Sequence, residues 1–262
     1  MPRSIITLTT DFGLSDHFVG AMKGVILSLA PSATIVDISH EIPPFGITEG
    51  AFTIAETYRH FPKTTVHVVV VDPGVGTARR PLVAEAAGQY FIAPDNGVLA
   101  LVFAREKHRV RAITSEKHFR KPVSRTFHGR DIFAPTAALV ARGTPAARFG
   151  KLIQDYANPR FAEPQRTGKR FWQGTVLKVD HFGNLITNFQ VEAFPELRTR
   201  PFQLSCGQAA FAELAETFGS VAPGEPVALE GSSGFVEIAV NGGSAAKTLG
   251  CEAGAPVDLT VW

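Results

Sequence analysis

The chain is short of cysteine: Cys206 and Cys251 are the only two in 262 residues, far apart and in no CxxC pair. A zinc cage, an iron–sulfur site and a disulfide scaffold all lack material, and a reducing compartment is expected. It also lacks an excess of charge. Twenty-six Lys and Arg stand against 24 Asp and Glu, a formal net charge of +2, and both signs are spread along the chain. A protein that tracks nucleic-acid phosphates would gather basic side chains on one face instead. No stretch reaches the roughly 18 uninterrupted apolar residues of a membrane span. The opening Met-Pro-Arg-Ser leads into Ile-Ile-Thr-Leu-Thr-Thr, which reads as a strand and carries no small-residue cleavage site. The expected protein is soluble and cytoplasmic, with neither nucleic acid nor membrane as a partner. Its eight His show no HxH or HExxH spacing, so no metal is expected.

Core-forming residues are plentiful: 45% of the chain is hydrophobic and 19% charged, enough for one or two domains without staples. Up to about residue 145, β-branched runs at Ile5–Thr10, Thr34–Ile38, Thr65–Val71, Leu82–Ala86 and Tyr90–Ala93 read as strands. Gly20–Leu29, Thr48–Arg59, Val98–Phe103 and Asp131–Ala141 read as helices. Four consecutive valines, Val68 to Val71, suit a central strand covered on both faces. The expectation is an α/β domain with a mostly parallel central sheet over 1–165. The periodicity degrades from about Phe149 to Gly168, and prolines at 159 and 164 mark a linker. Short alternating runs separated by glycines then predict a smaller all-β, barrel-like domain over 166–262.

Loops at the carboxyl ends of parallel strands are where α/β folds hold ligands. The first candidate is Thr9 to Asp16, where Asp11 either caps the next helix or accepts both hydroxyls of a ribose. The second is Val71-Asp72-Pro73-Gly74-Val75-Gly76 through Arg79 and Arg80. It has no GxGxxG and no Walker Lys, so it is not a phosphate cradle. Asp72 and Arg79 are spaced to pair, whether to tie the loop down or to do chemistry. The third is Phe127-His128-Gly129-Arg130-Asp131, where His128 is either a helix-start cap or a candidate base. In the second half, Asp180-His181-Phe182-Gly183-Asn184 reads as a hairpin turn, and Ser232-Ser233-Gly234 and Asn241-Gly242 as further polar turns.

Together with Thr10-Asp11-Phe12-Gly13, these segments run in the same order as motifs of a known family. Over nearly its whole length the sequence resembles the S-adenosyl-L-methionine (SAM) hydroxide adenosyltransferases, adenosine-forming SAM hydrolases related to SAM-dependent fluorinase and chlorinase. The resemblance implies hydrolysis of SAM to adenosine and L-methionine, with SAM as substrate and no cofactor. Asp72, Arg79 and His128 match the hydrolase branch, whereas the halogenases carry Tyr at the Asp position. It further implies Asp11 at the ribose hydroxyls, Asp16 and Asp180 at the methionine end, Asn184 and backbone near Gly242 at the adenine, and Ser232 at the methionine carboxylate. Phe45, Phe127 and Phe182 would line the ribose and adenine surfaces, and the family's assembly implies a homotrimer. Phe18 stands where the halogenases have Ser, Asp180 is followed by one residue fewer before Phe-Gly-Asn, and Arg79 and Arg80 compete for one place. The rival readings are a halogenase of the same family and a SAM-binding protein without turnover.

Overall fold

The computed structural model describes residues 4–160 and 163–262. Met1 to Arg3 and residues 161 and 162, the latter inside the expected linker, lie outside the described residues. The chain divides into two compact units, 1–159 and 160–262.

The first unit begins β1 (Ile5–Thr10), α1 (Phe18–Leu29), β2 (Thr34–Ser39), α2 (Ile47–Thr57) and β3 (Val66–Val70). It continues β4 (Pro81–Ala86), β5 (Gln89–Pro94), α3 (Ala100–Arg105), β6 (His108–Ala112), α4 (Ala134–Ala141) and β7 (Leu152–Ile153). The sheet order is β2-β1-β3-β5-β4-β6-β7. β2, β1, β3 and β5 run parallel to their neighbours, and β4, β6 and β7 extend them by antiparallel pairings, so the sheet is mixed. The valine run behaves as its two-sided apolarity predicts. Val66, Val68 and Val70 share a buried cluster with Met22 and Ile26 of α1 and Ala134 and Ala137 of α4. Val71 meets α2, whose Gly50 lies so close that an added Cβ would come within 3.0 Å of a Val71 methyl. Strand β6 has no counterpart in the sequence reading, because Arg109 and Arg111 interrupt its apolar side chains.

The second unit holds β8 (Gln165–Arg166), β9 (Phe171–Val179), β10 (Leu185–Gln190), β11 (Phe202–Cys206) and β12 (Ala209–Phe211). After these come β13 (Pro226–Glu230), β14 (Phe235–Val240), the one-turn helix α5 (Ala245–Leu249) and β15 (Pro256–Val261). Among the described residues every strand-to-strand pairing is antiparallel, in the order β12-β11-β15-β9-β10-β14-β13 with β8 beside β9, and β12 and β13 approach each other to make the sheet barrel-like. Its core gathers alternating inward side chains such as Val176, Leu204, Val236, Ile238 and Leu259. Cys206 and Cys251 are free thiols buried there. Among the described residues no helix is long and apolar enough to cross a membrane.

Candidate active site

Two parallel strands of the first unit end side by side and deliver their next residues to one place. β1 delivers Asp11 and β3 delivers Asp72, a placement set by the pairing of Thr10 with Val70. A cavity of about 290 Å³ opens there, lined by Asp11, Phe45, Asp72, Phe127 and His128 of the expected set and by Phe12, Phe18, Pro44, Val70, Val75, Thr126 and Gly129.

Behind its wall, Arg79 folds back on Asp72. Arg79 Nε donates to Asp72 Oδ1 at 2.9 Å, and Nη2 donates to Asp72 Oδ2. The same Nη2 donates to His128 Nδ1 at 2.8 Å. Arg79 and Asp72 side chains are only 8% and 5% exposed, so this charge-assisted pair is shielded from water. The loop can make this fold-back because Gly76 has φ +77°, and a Cβ there would sit 2.2 Å from the Arg125 carbonyl oxygen. The neighbouring guanidinium is committed elsewhere: Arg80 bonds Asp95 and Asp155. Spacing left Arg79 and Arg80 equivalent; distant acidic partners separate them.

An arginine has only donors, so His128 Nδ1 must be an acceptor and the neutral ring carries its proton on Nε2. Burial, and then the Arg79 charge, hold the His128 pKa below its ordinary value, against a weaker opposing pull from Asp72 and Asp131. His128 is therefore neutral at pH 7. It stands at the start of a π-helical turn, Gly129–Phe133, that runs into α4. Asp131 in that turn is fully buried and anchors the loop, accepting from Arg130 at 2.7 and 2.8 Å, from the Ser124 amide at 2.8 Å and from Arg120 at 3.3 Å. The Arg-Asp half of the motif thus holds the loop that presents His128. Among the described residues Arg79 Nη1 is buried with no hydrogen-bond partner.

Asp11 Oδ2 accepts the Phe45 backbone N–H at 2.9 Å. Burial raises its pKa, and this hydrogen bond works against the rise. Phe45 has φ +67° and a side chain largely exposed, strain of the kind concentrated at ligand-contact loops. Phe18 packs its ring 5.6 Å from Phe12 and 5.1 Å from Phe127, so this wall of the cavity is aromatic. Asp16 is exposed on the loop and does not line this cavity.

The second unit has its own cavity, about 810 Å³, lined by the expected Asp180, Phe182, Asn184, Ser232 and Gly242 and by Phe218, Leu229, Glu230, Gly231, Glu237, Val240 and Gly243. Asp180 closes the turn: its Oδ1 accepts the amides of Phe182 and Asn184 at 2.9 and 2.8 Å, and its Oδ2 accepts Asn184 Nδ2 at 2.9 Å. Glu237 is absent from the sequence reading and nearly buried at 8% exposure. Its signal was present, as the one carboxylate in the otherwise apolar strand Phe235–Val240. Among the described residues no group of three or more His, Cys, Asp or Glu is placed to hold a metal ion.

The fold and site define an α/β unit followed by a β unit, with a hydrogen-bonded acid–guanidinium–imidazole set beside a cavity at two parallel strand ends. Residues 6–150 match the SAM hydroxide adenosyltransferase N-terminal domain and residues 174–258 its C-terminal domain; the chain belongs to that family. It is 40% identical to an (R)-S-adenosyl-L-methionine hydrolase of Salinispora tropica, over 99% of this chain and 98% of that protein. A fluorinase of Actinoplanes sp. is 29% identical over 98% of this chain and 97% of its own. The crystal structure of an uncharacterized conserved protein from Thermotoga maritima superposes with a TM-score of 0.88 at 38% identity, covering 97% of this chain and 99% of that one.

Proposed function

We propose that the protein is an enzyme that hydrolyses SAM to adenosine and L-methionine. The observation that carries the reading is the hydrogen-bonded Asp72–Arg79–His128 set beside Asp11, in a chain more similar to a hydrolase than to a fluorinase. Water attacks the ribose C5′ carbon, the C5′–S bond breaks with its electron pair going to sulfur, and one proton is released. The sulfonium leaves as a neutral thioether and needs no acid. What the site must supply is an activated, aligned nucleophile away from bulk solvent.

Roles follow from hydrogen-bond capacity. Neutral His128 keeps Nε2–H as a donor for the nucleophilic oxygen, and the Arg79 guanidinium behind the wall supplies a fixed positive charge that holds Asp72 and His128 in place. His128 Nδ1 is already accepting, which leaves the remaining lone pairs of Asp72 to take the water proton. Of the two candidate bases the reading assigns Asp72. Asp11 holds the ribose hydroxyls with Phe45 and Phe127 against the sugar. In the second unit, Asn184, Phe182 and the Gly242 backbone hold adenine, and Ser232 and Asp180, with Asp16, serve the methionine end. We further propose that the enzyme is a cytoplasmic homotrimer requiring no cofactor, a compartment that suits its two buried thiols.

Chromatography of purified protein incubated with SAM, with and without chelator and halide, tests the reading. Equimolar adenosine and methionine in every arm are expected. A 5′-halo-adenosine would make it a halogenase, and binding without methionine release would make it a SAM-binding protein.

A further inference from the structure

Glu237 lies among the residues lining the second unit's cavity, in a strand whose every residue is buried. The register explains what it faces. Ile186 of β10 pairs directly with Glu237 of β14. Asn184, the residue just before β10 and two ahead of Ile186, lines the same cavity as Glu237. The backbone beneath approaches it closely: a Cβ on Gly231 would lie 2.5 Å from Glu237 Oε2. Asn184 Nδ2 donates to Asp180 Oδ2 at 2.9 Å. Burial and the Asp180 charge raise the Glu237 pKa, while hydrogen bonding from the Asn184 side chain works to lower it. The Asn184 NH₂ group is thus flanked by two carboxyl groups. Turning the amide over would set its carbonyl oxygen against both, replacing attraction by repulsion. With its NH₂ group turned to these carboxyl groups, Asn184 presents its carbonyl oxygen as the edge for a ligand.

We infer that Glu237 is a positioning residue which, with Asp180, locks the Asn184 amide so that the site selects a 6-amino purine over a 6-oxo purine. This rests on the proposal that the cavity takes the purine of SAM. The amino group of adenine donates to the Asn184 oxygen. The 6-oxo group of hypoxanthine would oppose it oxygen to oxygen, leaving both unsatisfied. Sites built on a ligand's hydrogen-bonding group reject analogues lacking it by large factors, so a preference of at least about 100-fold is expected here.

The test is isothermal titration of adenosine and inosine into the full chain and its Glu237→Gln and Glu237→Asp variants. Gln is isosteric but can offer an N–H to the Asn184 oxygen, which removes one of the two acceptors that hold the amide and leaves only Asp180. The adenosine-to-inosine affinity ratio should fall at least about tenfold in Glu237→Gln, through better inosine binding, and recover in Glu237→Asp, which keeps an acceptor. A ratio unchanged in Glu237→Gln, or a fall of equal size in Glu237→Asp, overturns the inference while SAM hydrolysis stands. Absence of both adenosine binding and SAM turnover in the unsubstituted protein overturns the functional reading, and the inference with it.

Discussion

Replacing Arg79 by Lys keeps the positive charge and removes the fork. The guanidinium makes three hydrogen bonds at once, from Nε to Asp72 Oδ1, from Nη2 to Asp72 Oδ2, and from Nη2 to His128 Nδ1. An ammonium on a flexible stem can satisfy one or two of these acceptors, but not in the same plane. With two bonds to charged or buried groups lost at about 1.5–3 kcal/mol each, the structural loss is bounded at about 3–6 kcal/mol before any relaxation. Retaining the charge avoids the heavier cost of leaving Asp72 buried and unpaired. For turnover, loss of the fork releases Asp72 and His128 from the preorganised geometry that readies the water, which lowers kcat by about 10²–10³. KM should stay within about threefold, because Arg79 positions the groups that serve the nucleophile and does not line the cavity. Steady-state assays of methionine release, with circular dichroism to verify the fold, provide the measurement. A well-folded Arg79→Lys protein with kcat near the parent value would refute the assignment of Arg79, and a change in KM alone would move it from the nucleophile to the substrate.

Two further outcomes follow from groups around this centre. His67 is fully buried, with Nδ1 2.7 Å from Thr7 Oγ1, and burial pulls its pKa down to about 4. Its contribution to stability is complete above the unfolded value of 6.5 and is lost as pH falls toward 4, because the unfolded chain binds the extra proton. That loss amounts to about 2.5 kcal/mol at pH 4.5. Denaturant midpoints at pH 7 and 4.5 should therefore differ less in His67→Gln than in the parent, and equal pH dependence in the two would contradict the assignment. Asp11→Ala should raise the Kd for SAM by about ten- to a hundredfold through the lost ribose contacts, while turnover of bound substrate falls less. Unchanged affinity by titration would return Asp11 to a purely local role holding Phe45.

Much of this architecture could be read from the residue pattern because it is local. The β-branched runs at Ile5–Thr10 and Phe235–Val240 and the two-sided valine run need only their own side chains to specify a strand. Pairing direction is not local. The antiparallel β4 and β5 turn back through Ala87 and Gly88, both at positive φ, and β6 joins them with arginines at alternate positions, which extends the parallel strands into a mixed sheet. The candidate centre shows the same division. The residue types of Asp72 and His128 were legible in their motifs, but choosing Arg79 over Arg80 required Asp95 and Asp155, which are distant in sequence. Glu237 escaped notice because its significance depends on β10 placing Asn184 beside it.

The measurement that most directly tests the central claim is a single-turnover reaction in ¹⁸O-enriched water, with the products resolved by mass spectrometry. Attack by an oxygen readied beside Asp72 and Arg79 predicts one ¹⁸O in the 5′-hydroxyl of adenosine and none in methionine. Unlabelled adenosine, or label found in methionine, would contradict it.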